Sequence, residues 1–410
     1  MICYMKNFDF IRVISNKDET MLFNENNYSS AIISKEVYEL IQDIKGIGDY
    51  DEIAKQYSKD DQIFFNELRK VFVEKKLFEN KAENSERYLR IDYVITDYCN
   101  LLCRHCCYSA QYLPSNSNAY RIDKELDILD RIIALEPDAI TITGGEPLTI
   151  SNFDEVENRI AKSGIKSRTL QTNATLISED NISGLVRAFN TFDISLDGST
   201  PEETEEIRGT GVYEKVINAI KLLKKNNIKN ILLSCAMNLD ENEKRVRFEE
   251  LCKKLGVKPI VRQMTYAGRA ASNGLKTNDK TEQYFYSKAG EYCSCGAGRT
   301  EITVNNKGDV FPCPNFIEKK FTLGNIFDDK IINRLGWDRE NDWYKHFSQY
   351  VSTERDECAE CEVNIFCWHC PFQIKRFMEI NDIKSLMKIC ERKKQIIYRR
   401  LWDNEEELLN

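Results

Sequence analysis

Histidine is nearly missing from this sequence, with three residues in 410. So few imidazoles leave no parts for a site built on several His ligands or for a His-based hydrolytic triad. An excess of basic charge is missing too: 58 Lys and Arg face 66 Asp and Glu, for a net charge of −8 and a pI near 5.4. The longest basic cluster, Lys393 to Arg400, is interrupted by Ile396, Ile397 and Tyr398 in a helical pattern. This balance excludes a general nucleic-acid or anionic-membrane binder. No apolar run reaches membrane-spanning length, and Met1 to Val13 carries Lys6, Asp9 and Arg12 without an unbroken apolar core or a small-residue cleavage site. A soluble, cytoplasmic protein with no membrane and no nucleic-acid partner is expected. There is no low-complexity tract.

Cysteine is abundant and clustered. Of 15 residues, four lie within Cys99 to Cys107 and eight more between Cys293 and Cys390. In a reducing compartment such clusters point to metal rather than disulfides. The length of 410 residues favours two or three domains, or one barrel with attachments.

Three textures follow one another. Residues 1–84 hold strand-like runs at Phe8 to Ile14 and Met21 to Phe23, then helical stretches at Lys35 to Ile44, Tyr50 to Tyr57 and Asp61 to Lys76, a small winged-helix pattern. Residues 85–289 alternate strands (Ile91 to Thr96, Ala139 to Thr143, Ser167 to Gln171, Phe192 to Leu196, Ile231 to Ala236, Pro259 to Gln263) with helices, which predicts an α/β fold with a parallel sheet curved into a partial (β/α)6 barrel. Its ligands belong at the C-terminal ends of the strands, where Cys99, Gly144, Gly145, Asn173 and Asp197 fall. In residues 290–410 the alternation ends and cysteine takes over, a segment expected to need inorganic staples.

The run Cys99-Asn-Leu-Leu-Cys103-Arg-His-Cys106 puts three thiols on one loop. Three thiolates hold three corners of a [4Fe-4S] cube and leave the fourth iron open for substrate chemistry. A zinc loop or buried thiols are the plain alternatives. This C-x3-C-x2-C spacing resembles that of radical S-adenosylmethionine (SAM) enzymes, as does Gly144-Gly145-Glu146-Pro147 directly after a strand. The resemblance implies SAM bound at the open iron and cleaved to a 5'-deoxyadenosyl radical that abstracts a hydrogen atom. It further implies that the Gly144 to Pro147 loop contacts the SAM amino group and that Arg208 meets its carboxylate. Asn173 and Ser195 would face the ribose and methionyl portion, Asp197 the ribose or the substrate, and His105 the adenine. Each of these side chains is equally at home as a helix cap, an ion pair or loop packing. Cys107 is not required by the motif.

The later cysteines, Cys293, Cys295 and Cys313, then Cys358-x2-Cys361-x5-Cys367-x2-Cys370 and Cys390, resemble the SPASM extension of radical SAM enzymes, which carries two auxiliary [4Fe-4S] clusters. By that resemblance one cluster uses Cys295, Cys313 and Cys370, with Cys293 as a fourth ligand or an open iron in its place. The other uses Cys358, Cys361, Cys367 and Cys390, for three clusters in all. The family pattern has three residues between the last two cysteines of the block and this chain has two, which questions Cys370. Two C-x2-C pairs also make a zinc site, although a five-residue gap is short for a ribbon. Pro371 after Cys370 excludes c-type haem.

Residues 1–84 carry 12 basic and 16 acidic side chains, the wrong sign for phosphate contact. Their order of elements, with Ala31-Ile-Ile-Ser34 and Lys76-Leu-Phe78, resembles the recognition domain of ribosomal-peptide modifying enzymes, which binds a precursor's leader as an added strand. The combined resemblance implies a peptide maturase installing a cross-link, with a thioether first and a carbon-carbon bond next. It also implies a low-potential electron donor such as flavodoxin or ferredoxin. Epimerisation needs a hydrogen donor, for which Cys235 is a candidate. Residue oxidation as in sulfatase maturation and an iron-sulfur redox sensor are the rivals.

Overall fold

The computed structural model describes residues 10–27, 29–39, 58–79, 88–114, 121–238, 241–265, 267–275, 295–336, 338–352, 354–358, 361–367 and 369–402. The expected helix Tyr50 to Tyr57, the second half of Lys35 to Ile44, and Cys293 lie outside them. Contacts gather the chain into two units that interleave: 1–87 with 285–295 and 350–410, and 88–284 with 296–349. The cysteine-rich third of the chain is therefore shared by compactness between the two, rather than standing as one consecutive block.

In the first unit, β1 (Ile11–Ser15), β2 (Glu19–Asn24) and β3 (Ser30–Ser34) form an antiparallel sheet in that order. β3 alternates, with Ala31 and Ile33 buried and Ile32 exposed. Helix α1 (Lys59–Glu74) begins two residues before the expected Asp61 because Ser58 forms a capping box with Asp61. It packs Phe72 against Leu22, Ala31, Ile33 and Leu77. The other side of the sheet is largely covered too. Ile14, Met21 and Phe23 share one core with Val363, Ile365 and Phe366 of the cysteine block and with Ile397 and Leu401. Phe23 and Phe366 meet edge-on at 5.2 Å, and Arg12 donates to the Asn364 side chain.

The second unit contains the six expected parallel strands in sequential order: β4 (Arg90–Thr96), β5 (Ala139–Gly144), β6 (Ser167–Thr172), β7 (Thr191–Ser195), β8 (Asn230–Met237) and β9 (Lys258–Gln263). β4 is buried along nearly its whole length, as a strand covered on both faces must be. Helices α2 (Lys124–Ile133), α3 (Phe153–Lys162), α4 (Ile182–Ala188), α5 (Pro201–Arg208), α6 (Val212–Lys225) and α7 (Asn242–Leu255) connect them. α5 was not foreseen; Thr200 caps it and Pro201 opens it, a pattern too short to show a 3.6-residue period. Three further strands extend the sheet beyond β4. β10 (Glu301–Asn305) is parallel to β4, and β11 (Asp309–Phe311) and β12 (Gly324–Asn325) return antiparallel. They come from the segment expected to be irregular, and Ile302, Val304 and Val310 are fully buried there. Among the described residues no helix is long and apolar enough to cross a membrane.

Because Phe23 sits at the centre of the core shared with the cysteine block, Phe23→Ala is expected to cost about 3–5 kcal/mol of stability. Chemical unfolding followed by tryptophan fluorescence measures the loss.

Candidate active site

β4 runs into the loop that carries Cys99, Cys103 and Cys106, and Tyr98–Cys99 pairs with Gln111–Tyr112 to close its base. The turn after β5 lies flat against this loop. Gly145 N donates to Thr96 O at 2.8 Å and Glu146 N to Tyr98 O at 2.7 Å. A Cβ on Gly144 would stand 2.4 Å from Thr96 O, and one on Gly145 2.1 Å from Tyr98 O. The glycines are thus required by the approach of the cysteine loop itself, not only by a ligand. Glu146 is fully buried, and its carboxylate accepts from Thr172 Oγ1 (2.7 Å), Asn173 N (2.7 Å) and Leu148 N (3.1 Å). Burial raises its pKa, against the pull of those donors. It fastens the turn to the end of β6, while Pro147 opens a single 3-10 turn.

Cys99 and Cys103 are buried and Cys106 is half-buried. Leu101 N donates to Cys99 Sγ at 3.4 Å, Asn173 Nδ2 approaches the same sulfur at 3.8 Å, and Arg208 Nη1 lies 3.9 Å from Cys103 Sγ. Burial pushes the Cys99 thiol up to about 12, with Glu146 adding to the shift. The Cys103 thiol is also raised by burial, opposed by Arg208. Free thiolates are therefore disfavoured here, whereas amide and guanidinium donors aimed at sulfur fit thiolates bound to iron. Cys107 interacts with Cys106, and burial takes its thiol to about 11.

Asp197 gathers the neighbouring groups. It follows β7 with a φ of +69°, a conformation that costs about 1–3 kcal/mol outside glycine, and it is 1 % exposed. Its Oδ2 accepts from His105 Nε2 at 2.8 Å and from Arg208 at 2.5 Å, and its Oδ1 accepts from Ala236 N at 2.6 Å. Burial alone would raise its pKa, but Arg208 and His105 outweigh this and hold the carboxyl well below the usual range. With Nε2 donating to Asp197, His105 Nδ1 is left buried without a partner. That imidazole lines a cavity of about 380 Å³ at the strand ends, together with Arg104, Glu203, Asn238, Lys244 and Met264. An orphaned ring nitrogen at the wall of a polar cavity fits a ligand with a hydrogen-bond donor, such as an adenine amino group.

The structure thus brings His105, Asp197 and Arg208 into one network, and Gly144 to Pro147 with Asn173 into a second against Cys99. Asn173 is buried and spends its amide on Asn100 Oδ1 (2.9 Å) and on the Thr175 N–H (3.0 Å). Ser195 ends β7 half-buried. Cys235 is fully buried on β8, its thiol driven up by burial and by Asp197.

Sequence reasoning missed a clamp after β9. Arg269 N donates to Cys106 O (2.9 Å), its Nε to Cys103 O (3.1 Å) and its Nη1 to Ala110 O (2.8 Å), and Asn273 Nδ2 donates to Arg104 O (2.7 Å). A Cβ on Gly268 would stand 2.5 Å from Cys107 O. The signal was available, because Gly268-Arg269 occupies the same strand-end position after the sixth strand as the other site residues do after theirs. Tyr108 was also passed over. Its phenol is raised well above the usual range by burial, with Cys107, Asp92 and Cys313 adding, although 37 % of the residue stays exposed.

In the first unit, Cys358, Cys361, Cys367 and Cys390 all lie within electrostatic reach of one another. Burial pushes Cys367 up to about 12, against the pull of Lys393. Arg355 and Lys393, each 5 % exposed, stand beside the thiols. Buried cations among half-buried thiols fit an anionic thiolate cluster. His369 is buried with Nε2 unpartnered, and burial lowers its pKa to about 3. Cys295 and Cys370 belong to this unit and Cys313 to the other.

Fold and thiols together define an α/β enzyme domain with a three-cysteine loop at its strand ends and a thiol-rich extension. Residues 93–255 match the model of the radical SAM superfamily, and residues 293–362 match that of the SPASM iron-sulfur cluster-binding domain. The chain thus carries a radical SAM domain followed by a SPASM iron-sulfur cluster-binding domain. The second match covers Cys293, Cys295, Cys313, Cys358 and Cys361 and stops before Cys367. Among curated proteins the chain is 24 % identical to the mycofactocin maturase MftC of Mycolicibacterium smegmatis, over 57 % of this chain and 66 % of that protein. It therefore spans about two thirds of that relative's length. It is 31 % identical to a GTP 3',8-cyclase of Peptoclostridium acidaminophilum over 40 % of this chain and 55 % of that one. The structure of Streptococcus suis SuiB bound to precursor peptide SuiA matches with a TM-score of 0.55 at 15 % identity, over 87 % of this chain and 93 % of the other, a likeness of fold.

Gly145→Ala is expected to prevent assembly of the first site while sparing the thiols of the first unit. Iron bound per chain after anaerobic reconstitution should fall by about one third.

Proposed function

We propose that this protein is a radical SAM maturase that takes a hydrogen atom from a ribosomally made precursor peptide and closes a cross-link in it, a thioether in the first instance. The observation that carries the peptide reading is an unpaired sheet edge, with exposed apolar side chains in the same N-terminal segment. β3 is bonded only to β2 among the described residues, leaving one edge open. Ile32 on that strand and Ile63, Phe64 and Val71 on α1 are exposed. An extended leader added to β3 would gain main-chain hydrogen bonds along that edge and contact with Ile32. The names of the mycofactocin maturase and of the SuiB complex with its precursor peptide support the same substrate class.

In this reading Cys99, Cys103 and Cys106 hold the first cluster. The Gly144 to Pro147 turn keeps the cysteine loop in place, and Arg208, Asn173 and Ser195 stand near the bound cofactor. His105, fixed by Asp197, presents Nδ1 to the adenine. Bound there, SAM and a reduced [4Fe-4S] cluster supply a 5'-deoxyadenosyl radical by one-electron cleavage. Closing a carbon-sulfur bond after the hydrogen atom is lost releases one proton and one electron, so the reaction also needs an electron acceptor. Buried Arg355 and Lys393 beside Cys358, Cys361, Cys367 and Cys390 are the surroundings such an acceptor requires. The SPASM resemblance assigns Cys295, Cys313 and Cys370 to a third cluster, with Cys293 as a fourth ligand or an open iron in its place. Residues 1–84, 85–289 and 290–410 act as recognition, radical and auxiliary segments. A low-potential donor such as flavodoxin or ferredoxin and a cytoplasmic location complete the proposal.

Anaerobic reconstitution with iron and sulfide, followed by dithionite and SAM, tests the core of this reading. About twelve irons per chain are expected, and 5'-deoxyadenosine should form with wild type and not with Cys99→Ala. A co-expressed precursor peptide should lose the mass of two hydrogen atoms, and failure of thiol alkylation to detect one of its cysteines would mark a thioether. An unchanged peptide alongside active SAM cleavage overturns the substrate assignment.

Removing a buried cation should make the auxiliary cluster harder to reduce. Lys393→Met is expected to lower its midpoint potential in an EPR-monitored redox titration, without loss of iron.

A further inference from the structure

The basic stretch set aside in the sequence lies on the helix that carries Cys390, here α8 (Ile383–Trp402). Its inner face is Leu386, Ile389, Lys393, Ile397 and Leu401, all buried. Cys390 is half-buried at the margin of that face. Helical spacing places Met387 one turn before it, Ile383 two turns before it and Lys394 one turn after it, in a single strip. Ile383 is 38 % and Met387 48 % exposed. Lys384, Lys388, Lys394 and Arg399 are exposed as well, with Glu391 as the acidic exception. Among the described residues none of these four cations is in an ion pair. The neighbouring Glu379 is already satisfied by Lys375 at 2.6 Å and Arg376 at 3.5 Å.

A small apolar strip with the unpaired Lys394 in line with it and the unpaired Lys384 one turn from Met387, on a chain whose net charge is −8, has the composition of a brief electron-transfer contact, in which charge steers the encounter and little area is buried. We propose that this face of α8 is the docking surface for an acidic one-electron carrier protein that exchanges an electron with the cluster held by Cys358, Cys361, Cys367 and Cys390. In the exchange the cluster, reduced by the electron released on ring closure, loses that electron and the oxidised carrier gains it, and no proton or bond moves. The inference rests on the assignment of that cluster. The apolar strip beside Cys390 favours a protein over nucleic acid, whose phosphates would use the lysines and leave Ile383 and Met387 uncovered.

The test uses the full-length, cluster-loaded protein and a purified acidic low-potential ferredoxin. Lys384→Glu combined with Lys394→Glu should weaken binding at low salt by about tenfold or more, and should slow electron transfer from the dithionite-reduced protein to oxidised ferredoxin to a similar degree in stopped flow. Lys384→Gln with Lys394→Gln should fall between the variant and wild type. Iron content and the dithionite-reduced EPR spectrum should be unchanged in both. Wild-type binding and rate in the charge-reversed protein overturn the proposal, as does loss of duplex-DNA binding with ferredoxin unaffected. Cys390→Ala is the separate check on the cluster. If it keeps every iron, the ligand assignment fails, while the binding measurement still decides whether the surface docks the carrier.

Discussion

The backbone of Gly144 and Gly145 lies so close to that of Thr96 to Cys99 that no side chain fits between them, and the active site depends on this seam. A loop holding three thiols has more conformational freedom than a metal cluster tolerates, and each ordered residue costs about 1–2 kcal/mol of backbone entropy. Here much of that ordering comes from neighbouring backbone and polar groups. The glycine turn fixes the start of the loop, Arg269 and Asn273 draw in its carbonyls, and His105 ties its last turn to Asp197. Three strand ends, those of β5, β7 and β9, thereby converge on one short segment that contributes little hydrophobic burial of its own.

The two thiol sites compensate charge in similar ways. Beside Cys103, the guanidinium of Arg208 is paired with the buried Asp197, and Arg269 stands near as a second cation. Beside Cys367 and Cys390, Arg355 is paired at 3.4 Å with the largely exposed Glu357, and the buried Lys393 stands near as a second cation. In a low-dielectric interior such positive charge favours thiolate over thiol.

The first unit joins the N-terminal sheet to the thiol-rich block. Phe23 and Met21 on the inner face of the N-terminal sheet pack on Phe366 and Ile365, between Cys361 and Cys367. The segment with the open strand edge and the loop with the auxiliary thiols bury a single core, so neither reaches full stability without the other.

Much of this was legible in the residues. The six parallel strands appear within a residue or two of their expected places, because apolar runs between helical segments leave few alternatives. The spacing from Cys99 to Cys106 and the glycines after β5 disclosed the first site, because local chemistry demands those residues close together in the chain. Tertiary structure alone decided that residues 296–349 extend the barrel sheet and that 350–402 packs against the N-terminal sheet, since strand pairing across 200 residues or more leaves no local signature. It also decided that Arg269 grips the cysteine loop and that Glu146 and Asn173 spend their polar atoms on the protein. A side chain's partner depends on which strand ends meet, and that follows from the order of strands in the sheet rather than from any spacing along the chain.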